Sequence, residues 1–174
     1  MSILLKNATI VDGKSNLNFK TKDILINDGD IVDIADTINT KASQTIKLEN
    51  LHVSRGWMDT SVCFGEPGFE ERETISNGLE TAASSGFTSI LLNPNCDPAI
   101  DNHSSIEFLK RKSAETTTEI YPIGSLTNNS KGEELASLFD MKVAGAVAFG
   151  DYKQTVKDTS CLLYTSDAAD EGHC

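Results

Sequence analysis

The residues best equipped for chemistry gather along one short apolar run and the loops that follow it. Asp59, Ser61 and Cys63 alternate within Trp57–Phe64, and Gly65-Glu66-Pro67-Gly68 comes next. A cysteine can bind zinc as its thiolate. A serine hydroxyl is neutral and donates too little electron density to be a good zinc ligand. The plainer reading of Cys63 is a small, buried strand residue. Asn95, taken alone, is a loop residue able to bond its own backbone. Asp151, taken alone, is a solvated or capping acid. His52 and His103 are expected at the surface or at a helix end rather than on a metal. Glu70-Glu71-Arg72-Glu73 is expected to form the charged first turn of a helix, where the dipole favours acids.

These groups need elements to hold them. The first fifty residues read as β structure. Ile3-Leu4-Leu5 and Thr9-Ile10-Val11 are short β-prone runs, closed by the turn signal Asp12-Gly13. Ile24–Ile26 and Ile31–Ile34 flank Asn27-Asp28-Gly29-Asp30, a strong hairpin signal. Thr45–Leu48 alternates and reads as another strand. Beyond Arg55 the pattern changes to strand and helix in turn. Strands are expected over 57–64, 87–92, 119–124 and 145–149, with the third ending near Pro122. Helices are expected over 70–85, 104–115 and 133–143. Strands recurring about every 30 residues with helices between them imply parallel βα units.

Composition narrows the partners. The chain has 174 residues, 39% hydrophobic and 24% charged, with a formal net charge of -11. That is ordinary for a globular protein. Acidity without a Lys/Arg cluster argues against nucleic acid or an anionic membrane as partner. No apolar run approaches the roughly 18 residues of a membrane span. Cys63, Cys96, Cys161 and Cys174 are widely spaced with no CxxC pair, which fits reduced cytoplasmic thiols.

From Arg55 to Asp101 the residues carry a specific resemblance. Gly56-Trp57-Met58-Asp59, Glu66-Pro67-Gly68, Gly86-Phe87-Thr88, Asn93-Pro94-Asn95-Cys96-Asp97-Pro98 and Ile100-Asp101 follow in the order and spacing of a dihydroorotase. Lys131-Gly132-Glu133-Glu134-Leu135 and Gly145–Phe149 extend the match. The resemblance implies an α/β chain: the N-terminal portion of an amidohydrolase (β/α)8 TIM-like barrel, about four βα units, preceded by a small β-sandwich subdomain. The expected divisions are 1–54 for the β subdomain and 55–160 for the barrel half. By the same resemblance Asn95 matches the family's substrate asparagine. Asp59 matches a structural strand-end acid, and Asp151 the remnant of a ligand position. Ser61 and Cys63 stand where the family has two metal-binding histidines, and Gly65 where it has an arginine.

The family interconverts dihydroorotate and carbamoyl aspartate, a step of pyrimidine synthesis, with zinc at the barrel mouth. Here the metal site is degenerate, so zinc is expected not to bind and the chain as given to be inactive. The small-molecule substrate is implied by resemblance. The alternative is a non-catalytic partner of aspartate carbamoyltransferase, or a homo-oligomer. Residues 161–174 are expected to be a non-native tail, because Cys161–Glu171 resembles a translated sequencing adapter.

Overall fold

The computed structural model describes residues 1–158; the suspected tail from Cys161 lies outside them. Contacts divide the chain into two units, Met1–Arg55 and Gly56 onward.

In the first unit, β1 (Ser2–Val11) is the centre of a five-stranded sheet. It pairs antiparallel with β2 (Thr21–Asn27), and β2 pairs antiparallel with β3 (Asp30–Ala35). It also pairs parallel with β4 (Gln44–Ile46) near Leu4 and with β5 (His52–Ser54) near Ile10. The two short runs expected at 3–5 and 9–11 are therefore one strand. The register shifts between Leu5 and Ala8, and Asn7 there takes φ 54. An asparagine tolerates that left-handed conformation, so the strand continues through an irregularity. The hairpin closes with Asp28 and Gly29 at φ 50 and 95, the double positive φ of a type I′ turn. Where a small β-sandwich is expected, residues 1–55 form this single sheet. Ala8, Ile10 and Ile24 form its core, with Leu17, Leu51 and Val53 packed against them.

One carboxylate is buried in that unit. Asp23 accepts from the Lys6 ammonium, from Asn7 N at 3.0 Å and from Ile38 N at 2.9 Å. Burial pushes its pKa up, but the Lys6 ammonium and the two backbone donors outweigh that and hold it at about 2.

The second unit carries four parallel strands in the order β6 (Trp57–Val62), β7 (Phe87–Leu92), β8 (Glu119–Gly124) and β9 (Ala148–Phe149). The connections are α1 (Ile75–Ser84), α2 (His103–Ser113) and α3 (Leu138–Ala144). Ile75, Leu79, Ile106 and Leu109 on the helices bury against Ile90 and Ile120 of the sheet. Apolar positions recurring at three and four residues produce those buried helix faces.

Four local expectations need correction. First, β8 runs through Pro122, which pairs with Leu92 and accepts from Val147 N at 3.0 Å. Proline lacks only the donor, and the neighbouring strand uses its acceptor. Second, α1 starts at Ile75, not Glu70. Residues 65–72 close turns on themselves (Phe69 N to Gly65 O, Arg72 N to Phe69 O, both 2.9 Å), so Glu70–Glu73 precede the helix. Third, α3 starts at Leu138, not Glu133. Asn128 N bonds Glu134 O at 2.8 Å and Ala136 N bonds Leu126 O at 3.0 Å, so 134–136 are spent on extended pairing. Fourth, β9 has two residues. Gly145 (φ 109) caps α3, and Ala146 N bonds back to Met141 O.

Candidate functional site at the strand ends

The loops after the four strands meet at the C-terminal end of the sheet, where open parallel sheets and barrels place their chemistry. β6 arrives there with an irregularity. Asp59 pairs with Ile90 and Val62 with Leu92, so three steps along β6 match two along β7. The extra residue frees Ser61 N from the ladder, and Asp59 Oδ1 accepts it at 3.0 Å. Asp59 thereby holds the bulge that turns Ser61 toward the second strand.

Asn93 sits at the end of β7. Its backbone N bonds Val62 O at 2.9 Å. Its side-chain Nδ2 lies 3.2 Å from Ser61 Oγ, 3.2 Å from Val62 O and 3.6 Å from Cys63 Sγ. One amide thus links both positions that the family pattern assigns to metal ligands.

The loops 65–68 and 93–98 interlock through backbone. Asp97 N bonds Pro67 O at 3.0 Å. Gly68 has φ 96, and a Cβ there would lie 1.9 Å from Asp97 O. Gly65 has φ 135, and a Cβ there would lie 2.6 Å from Phe69 O. Gly65 is therefore not simply an arginine position without its side chain, because the turn has taken a glycine-only shape. Asn95 is half-buried in a crevice it shares with Gly65, Glu66, Asn93 and Cys96. Among the described residues its amide has no hydrogen-bond partner. Burial, with Asp97 nearby, pushes the Cys96 thiol up to about 12, so it stays protonated.

Glu66 has another task. Its Oε2 accepts Ile75 N at 2.7 Å and its Oε1 pairs with Lys112 Nζ at 3.0 Å. Two acids serve the α1 N-terminus, Glu66 from nine residues upstream and Glu73, which accepts Thr74 N at 2.9 Å, together with the Thr74 cap, whose side chain accepts Asn77 N.

Asp151 is buried. It accepts Thr127 N at 3.0 Å and the Thr127 hydroxyl, and Gly132 N in turn bonds Thr127 Oγ1 at 2.8 Å. Its two oxygens are engaged in holding loop 125–132. Lys153, two residues on, has φ 56 and its ammonium lies 5.0 Å from the Tyr152 ring. The Tyr152 hydroxyl, and more weakly the Cys63 thiol, raise its pKa.

His52 is exposed and His103 half-buried. His52 Nδ1 meets Asn50 O at 2.7 Å, and His103 opens α2 beside Glu107. Among the described residues no three His, Cys, Asp or Glu side chains gather into a metal-binding group. A wider depression of about 460 Å³ lies by Thr88, Lys110, Ser113 and Glu119. It is at the opposite ends of the strands, and its lysine is paired with Glu119 at 2.8 Å.

Within this chain the positions that the resemblance assigns to metal are Ser61, Cys63 and Asp151, and their side chains do not fit one. The first is a neutral hydroxyl, the second accepts from an amide, and the third is consumed by Thr127. Sequence reasoning missed the roles of Asn93 and Glu66. A polar residue closing the apolar run Ile90-Leu91-Leu92 was the available signal for Asn93.

Known folds resemble the second unit and the sheet before it. An L-hydantoinase (dihydropyrimidinase) from Arthrobacter aurescens superposes with a TM-score of 0.65 at 22% identity, over 84% of this chain and 32% of that one. A crystal structure of a dihydroorotase gives 0.57 at 16% identity, over 85% of this chain and 41% of that one. At those identities the likeness concerns fold alone, a barrel of βα units, of which the described residues hold three complete units and a fourth strand. A family model described as dihydro-orotase-like matches residues 51–170, so the chain belongs to that family. Dihydroorotases from Pelotomaculum thermopropionicum (42% identical, 87% of this chain, 35% of the relative) and Acetivibrio thermocellus (37% identical, 99% and 42%) are similar to it. The chain spans well under half the length of these relatives.

Proposed function

We propose that this chain belongs to a dihydroorotase-like amidohydrolase of de novo pyrimidine biosynthesis whose metal site is degenerate. The reading is supported by the dihydro-orotase-like match over residues 51–170, and Asn95, whose amide is unpartnered among the described residues, is the side chain offered as a substrate contact. A carboxamide offers both a donor and an acceptor, which suits a ring amide or a carboxylate of dihydroorotate or carbamoyl aspartate. Without a guanidinium at position 65, the carboxylate loses a bidentate charged partner. Substrate is then held more weakly than an arginine-clamped site would hold it. The donor set at Ser61, Cys63 and Asp151 gives no support for polarising the ring carbonyl through zinc. This chain by itself is therefore expected not to turn substrate over. A cytoplasmic setting belongs to the same reading.

Titration of the full-length protein with dihydroorotate and with carbamoyl aspartate tests it, alongside a hydrolysis assay. Binding that falls about tenfold in Asn95→Ala supports the substrate role, since a lost hydrogen bond to a charged ligand group is worth about 1.5–3 kcal/mol. Binding unchanged by that substitution removes Asn95 from the site. The association with aspartate carbamoyltransferase draws on the ligand losses alone. Co-purification of the two proteins, with no substrate binding, would favour it over the enzyme reading.

A further inference from the structure

We propose that the Asn93 side chain stands in for the metal at the barrel mouth, tying the ends of β6 and β7 through a neutral amide. The proposal rests on the family reading only for the identity of the two ligand-equivalent positions. The geometry comes from this chain.

Nδ2 has three acceptors around it, Ser61 Oγ and Val62 O at 3.2 Å and Cys63 Sγ at 3.6 Å. The carbonyl of Val62 settles which way the amide points, because only the NH2 end can face a carbonyl oxygen. Two N–H groups then serve three acceptors, and none is left for a ligand. These are hydrogen-bond distances. Zinc would need its donors at about 2.0–2.3 Å. A cation placed among Ser61, Val62 and Cys63 would meet the positive ends of the amide N–H bonds.

The amide is not free to swing away. The Asn93 backbone N is bonded to Val62 O at 2.9 Å, and Pro94 follows directly. Its position is set by the end of β7, a strand whose Ile90 and Leu92 are buried. Asn93 is thus a positioning residue. It draws the Ser61 and Cys63 side chains together as a shared metal would, without requiring either to ionise.

The test compares zinc and cobalt(II) titrations of the full chain as parent, Ser61→His/Cys63→His, and the same pair with Asn93→Ala. The histidine pair alone is expected to gain little affinity, and removal of Asn93 to raise it by about tenfold or more, the scale on which outer-shell groups tune metal sites. Equal affinity for the double and triple variants overturns the proposal. So does a parent protein that takes up one equivalent of zinc and loses it in Cys63→Ala. If the triple variant does not fold, Asn93→Ala alone decides through Cys63 alkylation. A faster rate, restored toward the parent by Asn93→Gln, supports the tie, and an unchanged rate overturns it. These readouts need no substrate, so failure to bind dihydroorotate would count against the enzyme reading and leave this one standing.

Discussion

Two neighbouring regions at the strand ends are built on different principles. The loops 65–68 and 93–98 are locked by backbone: Gly68 admits no Cβ against Asp97 O, and Asp97 N bonds Pro67 O. The trio Ser61, Cys63 and Asn93 is joined by side-chain bonds beside a single backbone bond, Asn93 N to Val62 O, and Ser61 is exposed. The first region resists change because altering it costs folding free energy. The second can change its chemistry because little stability depends on it. A degenerate site can therefore sit in an intact frame.

The largest expected effect comes from breaking the locked region. Gly68→Ala should destabilise the second unit by about 3–5 kcal/mol, combining a disfavoured φ with a backbone clash. Denaturant unfolding would read this, and a loss under about 1 kcal/mol would mean the loops are not interlocked. Asp23 gives an intermediate effect away from both regions. Its pKa falls from 3.8 to about 2 on folding. The carboxylate's stabilisation is thus complete above pH 3.8 and is lost as pH drops through about 2. It amounts to about 2 kcal/mol. Acid unfolding of parent and Asp23→Asn should show that pH dependence flattened in the variant. Glu66→Gln removes a charge from the α1 N-terminus and the pair with Lys112, for about 1 kcal/mol. Thermal melts would register it, with less effect at high salt. Ser61→Ala should fall within about 0.5 kcal/mol, as for other exposed positions. A cost several times larger would erase the contrast between the regions.

Much of the frame was legible because it rests on local signals. Apolar runs such as Phe87–Leu92 marked strands, and Asp28-Gly29 marked its hairpin. The starts of α1 and α3 were not legible. Glu70–Glu73 has the composition of a first helical turn, but Pro67 and Gly68 commit that stretch to the interlocked loop. Glu133–Ala136 has helical composition too, yet its backbone pairs with 126–128, a contact no periodicity reveals. In the site, Ser61, Cys63, Gly65 and Asn95 could be singled out by motif. The work of Asn93 could not, because it depends on a bulge one strand away.

Gly65 sets a direction on change at this site. While its turn holds φ 135 with Phe69 O in the way, any other residue at that position meets the 2.6 Å contact before its side chain can reach a ligand. An arginine regained by a single substitution would thus be penalised before it could be useful. The turn over 65–69 would have to relax first, through changes that bring no benefit of their own. Position 65 is in this sense a ratchet, closed to a new side chain until the turn around it loosens.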